Sequence, residues 1–251
     1  MITFRKAKVW LAISAASGFL CCGVAQAQSG VPESQLEAFL GLSQGDLFGL
    51  NNGQPMNGSA IMQSITVGTG GGTLAFNYDF LTNSPSPASN PLAALNPFAF
   101  TTQSSLTDFA DNFSTLTAAP AQTGFLFQTG YQTYSISLAP GTYSWGIGVV
   151  DVTTDQFSSG LLLSDISLTS GIIVNGSFGT GDFTGWSTIG NTSVVTSDFG
   201  ISSTNGPFQA LISTASVPEP SSTVLLVLGS LGVMFASVFC KSRATARYPR
   251  T

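Results

Sequence analysis

The chain has 251 residues and a formal net charge of −5, and its seven lysines and arginines all lie near its two ends. Between Cys22 and Cys240 there is no histidine, lysine, arginine or cysteine, whereas all twelve acidic residues lie in that interval. The middle of the chain therefore excludes a Ser-His-Asp triad, a cysteine nucleophile, a lysine Schiff base, a P-loop, a Cys/His zinc site and a surface that binds nucleic-acid phosphates.

The N-terminal end has the parts of an export signal. An apolar run covers residues 9–24, and the tripeptide Ala25-Gln26-Ala27 follows it with a small residue at each end, as a signal peptidase site requires. We therefore expect residues 1–27 to be a signal peptide that is cut between Ala27 and Gln28. The short run and the A-x-A site disfavour a retained anchor. The basic residues that precede the run are Arg5, Lys6 and Lys8.

Residues 28–216 predict an all-β domain that begins with one short helix. Residues 32–42 are typical of a helix, with Pro32 in the first turn and Gly41 at the end. Apolar residues then alternate with polar ones in residues 74–80, 134–138 and 143–149, which favours strands with one polar face. The fold class expected is an antiparallel β-sandwich or jelly roll, with residues 81–97 as a surface loop. Shorter candidate strands are 61–67, 98–102, 125–128, 162–168, 172–174, 194–196 and 208–213.

Three aspartates form the candidate metal site of the domain. Asp151 ends one predicted strand, Asp155 lies in the following loop, and Asp165 lies on the next strand. A hairpin would bring the three together around Ca²⁺, which prefers oxygen ligands. The alternative is that all three face water in a solvated turn. No other cofactor is expected.

Aromatic residues offer a candidate surface for sugar rings. Trp145 alternates with Tyr143 and Ile147, which places it in the core. Trp186 follows a Gly-Asp-Phe-Thr-Gly turn and is the candidate for an exposed carbohydrate contact. Asp182, in that turn, is expected to accept hydrogen bonds from local N–H groups.

The C-terminal segment, residues 217–251, predicts a membrane anchor. The run 221–240 is uncharged and mostly apolar, and at about 1.5 Å per residue it spans about 30 Å, the thickness of a bilayer core. A stiff Val217-Pro218-Glu219-Pro220 stub precedes it. The basic residues that follow are expected to stay in the cytoplasm, with residues 28–216 outside. They are Lys241, Arg243, Arg247 and Arg250.

This tail resembles the PEP-CTERM sorting signal. The matching parts are the Pro218-Glu219-Pro220 motif, the helix interrupted by Gly229 and Gly232, and the basic cluster after Cys240. The resemblance implies processing by an exosortase in a Gram-negative bacterium that makes exopolysaccharide. It also implies that the helix is a transient anchor that is removed near residues 218–220.

The domain is similar to the β-sandwich ectodomain common among PEP-CTERM proteins. The similar stretches include LEAFLGL (36–42), LAFNYDFLTN (74–83) and NGSFGTGDFTGW (175–186). In that family the last of these comes first, so we expect residues 172–213 to be circularly permuted strands that complete the sandwich. A truncated second repeat is the alternative. The family places acidic residues where this chain has Ser84 and Pro97.

These observations predict an exported, non-enzymatic component of the cell surface or the exopolysaccharide matrix. Its expected partners are signal peptidase, an exosortase, the membrane and exopolysaccharide. A carbohydrate-binding module, with or without Ca²⁺, is the alternative. A glycosidase that uses only carboxylates is a further alternative, because a pair of acids is the catalytic machinery that this composition leaves.

Overall fold

The structure is a computed structural model that describes residues 30–50, 53–85, 96–103, 105–152 and 157–215. It consists of two antiparallel sheets and one short α-helix, as the alternating sequence pattern predicts. The elements are β1 Val31–Pro32, α1 Glu33–Leu40, β2 Pro55–Val67, β3 Gly72–Thr82, β4 Phe98–Thr102, β5 Leu106–Asp111, β6 Thr117–Ala118, β7 Phe127–Gln128, β8 Gln132–Leu138, β9 Gly141–Val152, β10 Ser159–Leu168, β11 Ser187–Ile189, β12 Asn191–Val195 and β13 Gln209–Ser213.

The two sheets are built from strands that are distant in sequence. Sheet A has the order β1-β2-β9-β4-β5, and β11 also pairs with β2. Sheet B has the order β12-β13-β10-β3-β7-β6, and β8 also pairs with β3. Consecutive strands β9 and β10 therefore lie in different sheets, so the expected hairpin between them is wrong.

The main core lies between the two sheets, because the period-two pattern points apolar side chains of both sheets inward. Trp145 is fully buried there, as predicted, and packs against Phe76 with ring centroids 5.9 Å apart. The largest fully buried side chains of this core are those of Ile61, Ile65, Leu74, Phe76, Phe80, Trp145 and Phe178.

Part of the outer face of each sheet is also covered. Helix α1 ends at Gly41, which adopts a left-handed φ of 71°, and packs Leu36 and Leu40 on sheet A. On sheet B, Leu162 and neighbouring apolar residues are covered by Phe125. Helix α1 and the segment that contains Phe125 therefore add a further layer over part of each sheet.

A bulge in β10 changes which side chains face the core. Ser164 pairs with Asn77 and Ser167 with Ala75, so that two residues oppose Phe76. The extra residue is Asp165, with a φ of 53°. The bulge lets Ile166 join the core and places Asp165 on the outer side, which simple alternation did not decide.

Residues 187–213 take part in both sheets. Strand β11 pairs with β2, and β12 pairs with β13, which in turn pairs with β10. The chain changes sheet at Gly190, where φ is 75° and an added Cβ would lie only 2.9 Å from the Gly58 carbonyl oxygen. These strands complete the sandwich. The proposed circular permutation is a statement about relatives and stays a prediction.

Some predicted elements differ or lie elsewhere. Residues 172–174, predicted as a strand, form none. The residue before them, Gly171, makes an isolated bridge to Val67. The predicted signal peptide, the 217–220 stub and the 221–240 span fall outside the described residues. Among the residues that are described, no helix has the length and apolar character needed to cross a membrane.

Candidate functional site

The outer face of sheet B contains a buried carboxylate, Asp79 of β3, whose residue is only 1% exposed. Thr129 donates its hydroxyl to Asp79 Oδ1 at 3.2 Å, and its N–H donates to the Phe80 carbonyl oxygen at 3.0 Å. The nearby backbone N–H groups of Thr129 and Gly130 make smaller contributions that also favour the ionised carboxylate. Burial outweighs these bonds and raises the pKa of Asp79 to about 6. This carboxyl group therefore changes its charge in a range where an exposed aspartate is already fully ionised.

Tyr131 lies beside Asp79 and packs on the same outer face of sheet B. Its hydroxyl donates to Gln209 Oε1, and Gln209 Nε2 donates to the Ile201 carbonyl at 2.6 Å. Burial, with the Asp79 charge as a smaller contribution, raises the pKa of Tyr131 to about 12. Tyr131 is thus a neutral hydrogen-bond donor at physiological pH.

A row of polar side chains continues from this point across sheet B. Asn77 accepts from Thr133 at 2.7 Å and donates to Thr204 at 3.0 Å. The Thr204 hydroxyl also lies 2.7 Å from that of Ser164. These residues come from β8, β3, β10 and the loop after residue 200, so the row fastens that loop to the sheet.

The raised pKa of Asp79 has a structural cause. Glycoside hydrolysis needs two carboxyl groups about 5–9.5 Å apart on either side of a bond. The shift of the Asp79 pKa comes from burial, which raises it, and from hydrogen bonds of Thr129 and Gly130, which lower it. The Asp79 carboxyl group therefore exchanges one proton near pH 6, and its oxygen accepts a hydrogen bond from Thr129.

Two other carboxylates do interact, Glu33 and Glu37 of α1. Burial and the Glu37 charge raise the pKa of Glu33. Glu37 is 2% exposed and accepts the N–H groups of Gly45 and Leu47 at 3.0 Å each. The Glu37 carboxylate thus anchors the loop that follows α1.

The structure places two of the three aspartates predicted to bind Ca²⁺. Asp151 is 5% exposed and lies one residue before the end of β9. Asp165 lies six residues along β10 from Ser159, about 20 Å at 3.3 Å per residue, and accepts from Asn205 Nδ2 at 2.8 Å. Asp155 lies outside the described residues. Within those that are described, no three Asp, Glu, Cys or His side chains form a group that could hold a metal, and a site that includes Asp155 stays a prediction.

The expectation of an exposed Trp186 is wrong. Trp186 is 8% exposed and lies in the core, with its ring centroid 5.6 Å from that of Trp145 and 5.9 Å from that of Phe178. Its Nε1 donates to the Asn175 carbonyl at 3.4 Å. The Trp186 ring packs against the rings of Trp145 and Phe178 in the core, so it offers no exposed face to a sugar.

Asp182 has the local role that the sequence predicts. Its Oδ1 accepts the Thr180 hydroxyl at 2.6 Å and the Thr184 N–H at 2.9 Å. These bonds lower the pKa of Asp182. The carboxylate stabilises the turn before Trp186.

Part of the outer face of sheet A is open and lined by hydroxyl groups. We call it the open face; it comprises Met62, Ser64, Thr66, Thr142 and Ser144 on β2 and β9. A shallow groove of about 610 Å³ borders it. That groove is also lined by the side chains of Ile172 and Val174, which are 75% and 47% exposed. A second groove, of about 410 Å³, lies between Ser144 and the end of α1.

The amino-acid pattern offers little sign that Asp79 is buried. Asp79 stands in a strand at an outward-facing position, where a carboxylate is ordinarily solvated. The covering residues Thr129 and Tyr131 are about fifty positions away, so local pattern cannot reveal the burial. For the open face, the alternation of Ser64 and Thr66 with Ile65 was a usable signal.

No protein-family model, curated protein or solved structure matches this chain.

Proposed function

We propose that this chain is an exported bacterial surface protein whose acidic β-sandwich is a non-enzymatic component of the cell surface or exopolysaccharide matrix. The observation that carries the proposal is the confinement of all lysines and arginines to positions beside the two apolar runs. Basic residues that flank apolar segments orient them in the membrane. If the basic residues at both ends stay in the cytoplasm, the domain between the two apolar runs lies outside it, which supports the proposal.

The tail supports a specific route. Pro218-Glu219-Pro220, the apolar run 221–240 and the basic end stand in the order of the PEP-CTERM signal. We propose that an exosortase recognises the motif and releases the domain from its anchor. The described sandwich supports this reading in one respect: the last strand, β13, ends at Ser213, shortly before the motif, so the tail follows a completed fold.

Fractionation of a Gram-negative host that makes exopolysaccharide and carries an exosortase tests this function. The intact chain should reach the outer surface or medium, whereas replacement of Pro218, Glu219 and Pro220 by alanine should leave it in the inner membrane. Replacement of Ser187, Thr188 and Ser193 by alanine is the matched control outside the motif, because these side chains are exposed. Equal surface delivery of the motif variant would contradict the proposed sorting, and retention of every version in the cytosol would contradict export.

A carbohydrate-binding role is the second candidate, and the open face is the feature that favours it. Its hydroxyl groups are exposed and uncharged, and Thr66 and Thr142 already lie 3.2 Å apart, at hydrogen-bonding distance. Apolar side chains at the rim, such as Ile172, suit the C–H surfaces of sugar rings. The proposed contact therefore moves from Trp186 to this face.

Binding of the intact chain to the host's purified exopolysaccharide tests that role. Ile172→Ala should weaken binding, because it removes the largest exposed apolar side chain at the groove. Leu126→Ala is the control, since Leu126 is 62% exposed but lies on the segment that covers sheet B. Unchanged binding by Ile172→Ala, or an equal loss in both variants, would contradict a site at the open face.

A further inference from the structure

The two lateral sides of the sandwich differ. On one side, the chain passes from β11 in sheet A to β12 in sheet B through Gly190, and the Asn191 N–H donates to Ser59 Oγ at 2.8 Å. This corner ties the sheets together. The other side ends at β5 in sheet A and β8 in sheet B, which are separate edge strands.

Strand β8 is a regular edge strand without protection. Gln132–Leu138 pairs with β3 in seven consecutive residue pairs and without a bulge. In the parts of the chain that are described, no strand pairs with its other edge. The backbone N–H and C=O groups on that edge can therefore accept another strand.

Two edge strands of sheet A do carry protective features. Strand β5 contains Asp108 and Asp111, and its pairing with β4 is interrupted by a bulge. Strand β1 has two residues, one of which is Pro32. Charges, bulges, prolines and short length all discourage edge-to-edge pairing. Strand β8 has neither a charged residue nor a proline. It differs in this from β5, the edge strand of sheet A on the same side of the sandwich, which carries two carboxylates.

The side chains of β8 are complementary to those of a second, antiparallel copy of the strand. Thr133, Ser135 and Ser137 are exposed on the outer side, whereas Tyr134 and Ile136 are half-buried and pack at the margin of the core. A two-fold axis at Ser135 would place Thr133 opposite Ser137 of the partner subunit, and Tyr134 opposite Ile136 of the partner subunit. Hydroxyl groups then meet hydroxyl groups, and an aromatic ring meets a β-branched side chain, a favourable cross-strand pair.

We propose that two copies of this chain associate through β8, in antiparallel register about Ser135, so that their B sheets form one continuous sheet. The occupant is a second copy because the strand is complementary to itself. The composition also limits which interactions can hold two copies together. Because there is no cationic side chain between Cys22 and Cys240, two such domains cannot form salt bridges with each other. Backbone hydrogen bonds along an uncharged edge, with further burial of Tyr134 and Ile136, provide an attraction that needs no opposite charge.

The test uses sedimentation of the full chain in a non-ionic detergent. The wild-type chain should form dimers, and Ser135→Lys and Ser135→Glu should each weaken self-association by at least about tenfold, because like charges then face each other across the axis. An equimolar mixture of the two variants should restore a dimer. Thr142→Lys is the control, since Thr142 is exposed on a central strand of the other sheet.

The mixture separates lost pairing from lost folding, because unfolded variants would not recover a dimer when mixed. A monomeric wild-type chain at all concentrations would overturn the proposal, as would dimers of Ser135→Lys that are as tight as those of the wild type.

A cross-link tests the register independently. In a chain whose Cys21, Cys22 and Cys240 are replaced by serine, Ser135→Cys should give a disulfide-linked dimer on mild oxidation. Directly opposed residues of antiparallel strands have Cα atoms about 4.5–5.5 Å apart, within the range of a disulfide. Thr142→Cys should not cross-link. Equal cross-linking of both variants, or of neither, would contradict the register about Ser135.

Discussion

The charge of Asp79 is coupled to the stability of the fold. Its pKa rises from 3.8 in the unfolded chain to about 6 in the native state, so the native state binds the proton more tightly. The stability that this group contributes is therefore complete below about pH 4 and is lost as the pH rises to about 6. A shift of this size corresponds to at most about 3 kcal/mol.

Asp79→Asn should remove most of this dependence. The variant keeps an acceptor for Thr129 but cannot ionise, so its free energy of unfolding should vary little between about pH 4 and 6 and exceed that of the wild type at neutral pH by about 1–3 kcal/mol. Urea denaturation at a series of pH values measures both quantities. Asp182→Asn is the control, because Asp182 is exposed and its removal should weaken only a local turn. A wild-type stability that does not fall from about pH 4 to 6 would contradict the account.

Trp186 should affect stability rather than recognition. Removal of a buried tryptophan typically costs about 3–5 kcal/mol, because the lost contacts leave a cavity. Trp186→Ala should lower the free energy of unfolding by that amount, as measured by chemical denaturation. Trp186→Phe should lose less, since it retains a ring between Trp145 and Phe178. An alanine variant as stable as the wild type would show that Trp186 does not fill the core.

Strand β9 depends on glycine where other elements lie close to its outer face. A Cβ on Gly148 would lie 2.6 Å from the Ser59 carbonyl oxygen and 2.8 Å from Phe100 Cζ, both closer than atoms tolerate. Gly148→Ala should therefore destabilise the fold by about 1–3 kcal/mol, measured by thermal unfolding. Gly49→Ala is the control, because a Cβ there meets nothing within 4 Å. Equal melting temperatures for the two variants would contradict this packing.

At the same scale, local pattern predicted the strands but not their partners. Alternation in residues 74–80 and 143–149 indicated β3 and β9 correctly, since a strand that buries one face has period two. It could not indicate that β9 and β10 lie in different sheets, because pairing depends on contacts between distant residues. The β10 bulge was equally hidden, since one inserted residue, Asp165, leaves the sequence pattern ambiguous.

The candidate site was predictable only in part. The hydroxyl groups of the open face follow from the alternation along β2, which puts Ser64 and Thr66 opposite the core. The burial of Asp79 and Trp186 arises from segments that fold back onto the sheets, namely residues 129–131 and 172–186. Such coverage is set by tertiary contacts, and no local signal encodes it.

At the scale of the whole molecule, the domain is held together without ion pairs between side chains. The described residues include no lysine, arginine or histidine, so each of their carboxylates is solvated or hydrogen-bonded. Glu37 and Asp182 illustrate the second case. All ionised side chains of the described residues are therefore negative at neutral pH.

The proposed export makes a direct prediction about the ends of the mature chain. Mass spectrometry of the protein recovered from the surface or medium of an exosortase-containing host should find Gln28 as the first residue and a C-terminus near Pro218–Pro220. The apolar runs at both ends would then be missing from the recovered domain. Recovery of the complete chain from the cytosol, with Met1 and Thr251 both present and no membrane association, would contradict the account.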